Sequence, residues 1–200
     1  TQQIMLADLP LGEGGASRRV VMQAPKNGFF YVLDAADGEL ISATPFTNQN
    51  WTTGEFDENG RPVLVEEAVD LALYAVVPGP TGAHNWHPMA FNPDTGLVYI
   101  PVNEIPFFYD KTRNVEDGKS YWNIGYDAAA GWPVEYPAGT LDAIADLDGG
   151  SLLAWDPVKA EPRWAVPFAL PLNGGVLSTD AGLVFQGNKF GDLVAYDAET

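Results

Sequence analysis

A short element that occurs three times constrains this 200-residue chain more than any other feature of its sequence. Each copy consists of a glycine, five mostly apolar residues and an aspartate, at residues 28–34, 150–156 and 191–197. The second and third copies are 41 residues apart, and the first and second are 122 apart, close to three times that spacing. A fixed spacing of this size indicates successive copies of one supersecondary unit.

A second element supports the same period. Residues 94–100 (DTGLVYI) and 180–186 (DAGLVFQ) are 86 residues apart, which is twice 43. Both elements place Val, Ile, Leu, Tyr and Phe in short runs that begin at Gly or Asp, a composition typical of strands and turns. A period of 41–43 residues lies in the range of β-propeller blades. The sequence therefore predicts an all-β chain with propeller architecture.

Long polar or proline-rich stretches, residues 47–62 and 111–147, separate the repeats and are expected to be insertions on one face of the propeller. The only helix expected is a short one within residues 65–76. The length predicts about four blades at roughly 42 residues each. Because propellers close with four to eight blades and an open arc exposes strand edges, we expect a fragment truncated at both ends.

The composition excludes several kinds of partner. The chain has 10 basic and 27 acidic residues and a net charge of -17, whereas nucleic acids and anionic membranes require clustered Lys and Arg. It has no cysteine, so it contains no disulfide, CxxC zinc site or CxxCH haem site of its own. No run approaches the ~18 apolar residues of a membrane span. Neither nucleic-acid binding nor membrane insertion is expected.

Three further blocks are more specific than the repeat. They are residues 22–34 (MQAPKNGFFYVLD), residues 84–89 (HNWHPM) with 92–101 (NPDTGLVYIP), and residues 173–176 (NGGV) with 182–187 (GLVFQG). Residues 154–164 also follow a pattern of Ala-x-Asp, three residues, Gly, three residues and Trp, with Ala160 at the glycine position. With these blocks in this order, the chain resembles the quinoprotein and quinohaemoprotein alcohol dehydrogenases, which use pyrroloquinoline quinone (PQQ).

The resemblance implies the C-terminal part of an eight-bladed propeller that holds PQQ and a calcium ion on its axis. It implies oxidation of alcohols to aldehydes by hydride transfer to PQQ, with calcium polarising the quinone carbonyl and an aspartate taking the alcohol proton. The calcium ligands and the catalytic aspartate are expected before Thr1, and a haem c domain, if present, after Thr200. No catalytic residue and no metal ligand is therefore assigned within the chain. A cytochrome or another electron acceptor and a periplasmic location are also implied.

Four cofactor-binding residues follow from the same resemblance. Lys26 matches the lysine that points at the quinone oxygens, where an ammonium would stabilise the negative charge that develops on reduction. Asn85 and Trp86 match a pair that contacts PQQ from a neighbouring blade, and they offer amide hydrogen bonds and a flat indole face. Val176 follows a double glycine that permits close approach, and its backbone is expected near the cofactor. We therefore expect Lys26 to lie close to Asn85 and Trp86.

Other polar residues are given structural roles. His84 and His87 are the only histidines, and no Cys or acidic residue lies near them in sequence, so a packing or supporting role is expected rather than a metal site. The cluster Asp142, Asp146 and Asp148 lacks the spacing of a calcium-binding hand and indicates a turn at a blade edge. We expect Trp164 to dock between blades.

A non-enzymatic propeller scaffold with the same blade repeats is the alternative. Such a scaffold would keep the Ala-x-Asp pattern because that pattern serves the blades. It would have no reason to keep Lys26 or the pair of Asn85 and Trp86, so these residues favour the enzyme.

Overall fold

The computed structural model describes residues 2–69, 75–108 and 149–200. Nearly all regular structure in these ranges is β-strand, as the repeats predict. A 3-10 turn (Glu13–Gly15) follows the first strand, and one helical turn, α1 (Glu66–Val69), lies where a short helix was expected. In chain order the strands are β1 (Met5–Leu9), β2 (Arg18–Gln23), β3 (Phe29–Asp34), β4 (Leu40–Pro45), β5 (Thr52–Phe56), β6 (Pro62–Leu64), β7 (Ala75–Val76), β8 (Ala90–Asn92), β9 (Leu97–Asn103), β10 (Phe107–Phe108), β11 (Gly150–Asp156), β12 (Glu161–Phe168), β13 (Val176–Ser178), β14 (Leu183–Gly187) and β15 (Leu193–Asp197).

The first blade is a four-stranded antiparallel meander in the order β1-β2-β3-β4. Strand β1 shows the alternation that a strand between two environments requires, since it buries Met5, Ala7 and Leu9 and exposes the residues between them. The hairpin between β3 and β4 closes where the Gly38 N–H donates to the Asp34 carbonyl at 3.0 Å. Gly38 has a φ of 80°, a conformation that favours glycine and that explains the Asp-Gly sequence of this turn.

The second blade has the order β8-β9-β11-β12, and it contains an insertion. Residues 104–149 separate its second and third strands, and β10 within that stretch pairs with β7 in a separate two-stranded ribbon. Every residue of β9 is buried, because this central strand has a partner strand on each side and packed side chains on both faces. A second ribbon, β5-β6, lies between the two blades in sequence.

The third blade is represented by β13-β14-β15. The repeated elements are structurally equivalent, because β3, β11 and β15 are each the third strand of a blade, while β9 and β14 are each the second. Within the described residues, each recurrence is a step from one blade to the next. The propeller class is confirmed, and the described residues form two complete blades and three strands of a third.

The aspartate that ends each repeated element has one structural task. In Asp34, Asp156 and Asp197, carboxylate Oδ1 accepts the backbone N–H two residues further on, at 2.6, 3.0 and 2.8 Å. These bonds fix the turn that follows the third strand. The same backbone donors hold the pKa of Asp34 and Asp197 below the ordinary range, and Arg18 contributes further at Asp34. The repeat thus ends in aspartate because the turn needs an acceptor there.

Aromatic side chains join the blades. Between the first and second blades, Phe30 and Trp155 pack in one buried cluster with ring centroids 5.8 Å apart. Between the second and third, the Tyr99 hydroxyl and the Trp164 indole N–H both donate to the Ala198 carbonyl, at 2.9 and 3.2 Å. Trp164 therefore docks between blades, as its place in the blade pattern predicts.

Candidate functional site

Lys26 lies on the turn between β2 and β3, and two contacts hold it against a segment of the second blade. Its ammonium Nζ donates to the Pro80 carbonyl at 2.9 Å, and its own carbonyl accepts the Ala83 N–H at 3.0 Å. The side chain is exposed. The ammonium and the backbone carbonyl of Lys26 are thus both bonded to residues more than fifty positions away in sequence. These bonds fix the position of its positive charge.

The segment that receives Lys26 is a tight turn over residues 79–82, in which the Gly82 N–H donates to the Gly79 carbonyl at 2.8 Å. Gly82 has a φ of 80°, and a Cβ there would lie 2.3 Å from Lys26 Cγ. Both the backbone conformation and the available space therefore require glycine at this position. The sequence signal for this turn is Gly-Pro-Thr-Gly, which sequence reasoning did not connect with the lysine.

Asn85 and Trp86 follow that turn directly. The Asn85 side-chain amide donates to the Thr81 carbonyl at 2.8 Å. Trp86 is 68 % exposed, and the His87 ring stacks on it with centroids 4.1 Å apart and planes inclined by 23°. An indole supported on one face and open on the other offers a flat apolar contact surface to a ligand.

Two of the residues expected to lie close together bond to neighbouring residues of this segment. Lys26, from the first blade, and Asn85, from the segment leading into the second, donate to the carbonyls of consecutive residues, Pro80 and Thr81. An ammonium, an amide and an exposed indole therefore share one short stretch of chain. This combination suits a flat ligand rich in anionic or carbonyl oxygen atoms.

Val176 joins the same segment from the third blade. Its backbone N–H donates to the Pro88 carbonyl at 2.8 Å, and a Cβ at Gly175 would lie 2.3 Å from the Pro88 ring. The double glycine thus permits the close approach that the sequence suggested, although here the neighbour is Pro88. Three blades converge on residues 79–88, while the N–H of Val176 is already bonded.

His84 is fully buried beneath this segment. Its ring Nδ1 lies 2.6 Å from the Ala24 carbonyl oxygen, and its Nε2 lies 2.7 Å from that of His87. Burial lowers the pKa of His84 below its ordinary value, and the two carbonyl contacts offset part of that effect. Both ring nitrogens thus face the protein backbone rather than a metal site.

Three polar groups near Lys26 were not found from the sequence. The Thr81 hydroxyl and both amide atoms of Gln49 are buried without a hydrogen-bond partner in the part of the chain that the structure describes. Gln49 Oε1 lies 3.1 Å from the position a Cβ would take on Gly28, so this amide lies against the turn that carries Lys26. A threonine or glutamine in a loop gives no sequence signal of this kind.

Across residues 2–69, 75–108 and 149–200, no group of three His, Cys, Asp or Glu side chains could hold a metal ion. The acidic cluster Asp142, Asp146 and Asp148 falls outside the described residues. No helix in those same ranges is both long enough and apolar enough to cross a membrane.

Comparisons with known proteins identify relatives of the chain. The quinohemoprotein alcohol dehydrogenase ADH-IIG of Pseudomonas putida is 44% identical over 209 residues, covering 100% of the chain and 28% of that protein. The crystal structure of the quinohemoprotein alcohol dehydrogenase of Comamonas testosteroni superposes on the whole chain with a TM-score of 0.81 at 42% identity. The chain is homologous to the quinohaemoprotein alcohol dehydrogenases.

The chain corresponds to only part of each relative, whereas each relative covers all or nearly all of the chain. The chain spans 28% of ADH-IIG and 29% of the Comamonas structure, while both cover all of it. A europium-containing methanol dehydrogenase aligns over 99% of the chain with a TM-score of 0.76 at 28% identity, and the chain covers 33% of that structure. No protein-family model matches the chain. These quinohaemoprotein relatives confirm the resemblance seen in the sequence and the propeller architecture.

Proposed function

We propose that the chain is the C-terminal part of the propeller of a PQQ-dependent alcohol dehydrogenase. Such an enzyme would oxidise a small alcohol to the aldehyde and pass electrons to a cytochrome. The names of relatives support this, among them a 1-butanol dehydrogenase (cytochrome c) of Thauera butanivorans at 39% identity over 99% of the chain. The observation that carries the proposal is the donation by Lys26 and Asn85 to consecutive carbonyls from two blades.

The described side chains fit PQQ, which is flat and carries carboxylates and adjacent quinone oxygens. Lys26 uses one ammonium hydrogen on Pro80, and an ammonium has three, so two remain for an anionic ligand. A unit charge about 4 Å from another gains about 4 kcal/mol at an effective dielectric constant near 20. The exposed face of Trp86 matches the flat rings, and the orphaned hydroxyl of Thr81 adds a polar atom on the same turn.

Each residue then has one task. Lys26 holds a fixed positive charge toward the quinone oxygens, where negative charge grows as the alcohol is oxidised. Asn85 fixes the in-plane orientation of the ligand by a hydrogen bond, and Trp86 packs against it and excludes water from one side. Val176 sets the position of Pro88 and so of the segment as a whole. When bound, PQQ supplies the acceptor for the hydride.

The remaining chemistry is assigned elsewhere in the enzyme. No general base and no calcium ligand is assigned to this chain, and both are proposed to lie before Thr1 in the full-length protein. A haem c domain after Thr200 would carry electrons onward, and we propose a periplasmic location. The scaffold alternative has no support from the relatives named above, which are dehydrogenases.

The test is PQQ binding by the full-length protein, measured by equilibrium titration in the presence of calcium. Lys26→Met removes the charge and keeps the length, and we expect the dissociation constant for PQQ to rise about 10- to 100-fold, the effect of losing a charge-assisted hydrogen bond. Lys159→Met is the matched control, since Lys159 is an exposed lysine on the turn after β11. Equal affinity of the wild type and the Lys26 variant would overturn the assignment.

A further inference from the structure

His84 connects two parts of the chain that are distant in sequence. Its Nδ1 contacts the carbonyl of Ala24, sixty residues away, and its Nε2 contacts the carbonyl of His87, three residues on. The side chain is fully buried, so no solvent can replace either contact. A neutral imidazole carries one N–H, so the ring donates to one of these carbonyl oxygens and lies against the other, and the tautomer decides which.

The two carbonyls belong to the two halves of the candidate site. Ala24 lies two residues before Lys26, and His87 directly follows Trp86. The backbone repeats the connection, because the Ala83 N–H, next to His84, donates to the Lys26 carbonyl. His84 thus lies between the residue that carries the charge and the residue that carries the exposed ring.

We propose that His84 is the positioning residue that fixes Lys26 relative to Asn85 and Trp86. Its effect on PQQ rests on the proposed function, whereas its effect on the geometry of the segment does not. The imidazole acts through its contacts with two backbone carbonyls, so it need not touch a ligand. Removing its nitrogens releases the Lys26 turn from the Trp86 segment while the blades themselves remain.

Amide side chains can test each contact separately. The amide nitrogen of asparagine can occupy the place of Nδ1, and that of glutamine the place of Nε2. His84→Asn therefore places an amide N–H toward Ala24, and His84→Gln places one toward His87. His84→Leu removes both ring nitrogens and keeps a buried apolar side chain.

The first measurement is amide hydrogen exchange at Ala83, whose N–H bonds to the Lys26 carbonyl. We expect exchange about tenfold faster in His84→Leu, with His84→Asn and His84→Gln between it and the wild type. Amides in strand β11 should keep their wild-type rates in all three variants. Unchanged protection of Ala83 in a folded His84→Leu protein would overturn the proposal, whether or not PQQ binds.

The second measurement is the dissociation constant for PQQ of the full-length protein. We expect it to rise about tenfold in His84→Leu and to recover in part with Asn or Gln, which loss of bulk stability alone would not produce. Asn92→Leu is the matched control, because Asn92 is a buried amide that bonds Ser178 and Thr179 between the second and third blades. That variant should lose stability and keep both Ala83 protection and PQQ affinity.

The outcomes separate the two proposals. If wild-type protein does not bind PQQ but His84→Leu releases Ala83, the proposed function fails and the positioning role stands. If PQQ binds with equal affinity to wild type and His84→Leu, and Ala83 stays protected, the positioning role fails and the proposed function stands.

Discussion

Two tryptophans show how differently the same side chain is used in this molecule. Trp164 lies between the second and third blades, packs against a buried cluster and donates its indole N–H to the Ala198 carbonyl. Trp86 is 68 % exposed, and the His87 ring stacks on one of its faces. The Trp164 indole is packed between two blades, whereas most of the Trp86 indole is exposed to solvent. A largely exposed ring that directly follows Asn85 suits a ligand site better than a blade junction.

The largest effect expected from this comparison is on stability. Trp164→Ala should lower the free energy of unfolding by about 3 kcal/mol, because it empties a packed site and leaves the Ala198 carbonyl with one donor fewer. Trp86→Ala should change it by less than about 0.5 kcal/mol, as is usual for an exposed side chain. Urea unfolding of the full-length protein, followed by a probe other than tryptophan, measures both values. Similar losses for the two variants would remove the distinction between the junction and the site.

A smaller effect on stability is expected from the aspartates of the blade turns. Asp34 in the first blade and Asp197 in the third should contribute in the same way. Backbone donors lower the pKa of Asp34 and Asp197, whose ordinary value is near 3.8. A carboxylate with a lowered pKa in the folded state stabilises that state above its unfolded pKa, and the contribution is lost as pH falls through the folded pKa. The urea midpoint should therefore fall as pH drops below about 4.

Asparagine substitutions test whether Asp34 and Asp197 cause this dependence of the urea midpoint on pH. Asp34→Asn and Asp197→Asn keep a side-chain oxygen for the turn and cannot titrate, so each should make the midpoint less dependent on pH below 4 than it is in the wild type. Asp180→Asn, on the exposed turn between β13 and β14, serves as the control. An unaltered slope in both turn variants would show that other carboxylates cause the acid sensitivity.

The strands were predictable because they are short apolar runs bounded by turn residues, and these runs recur along the sequence. Which copies of the repeat lie on neighbouring blades was not predictable, because a long connecting segment lengthens the spacing as much as a blade would. The first two elements are 122 residues apart, close to three times 41, although β3 and β11 belong to neighbouring blades. Loop lengths are set by function and carry no structural period.

The residues of the candidate site were predicted from the family resemblance, and their role in binding a cofactor stays a prediction. The structure bonds Lys26 and Asn85 to consecutive residues, Pro80 and Thr81. The bridge at His84 was not predictable, because its partners are backbone carbonyls and any residue type supplies those. The need for glycine at Gly82 was not predictable either, since only the path of the Lys26 side chain shows why a Cβ is excluded there.

The most direct test is a structure of the full-length protein with PQQ bound. We predict that Lys26 Nζ and the Asn85 side-chain amide each lie about 3 Å from a PQQ oxygen, with Trp86 in van der Waals contact with the cofactor. PQQ bound away from residues 79–88, or Lys26 and Asn85 directed to opposite sides of that segment, would contradict the account.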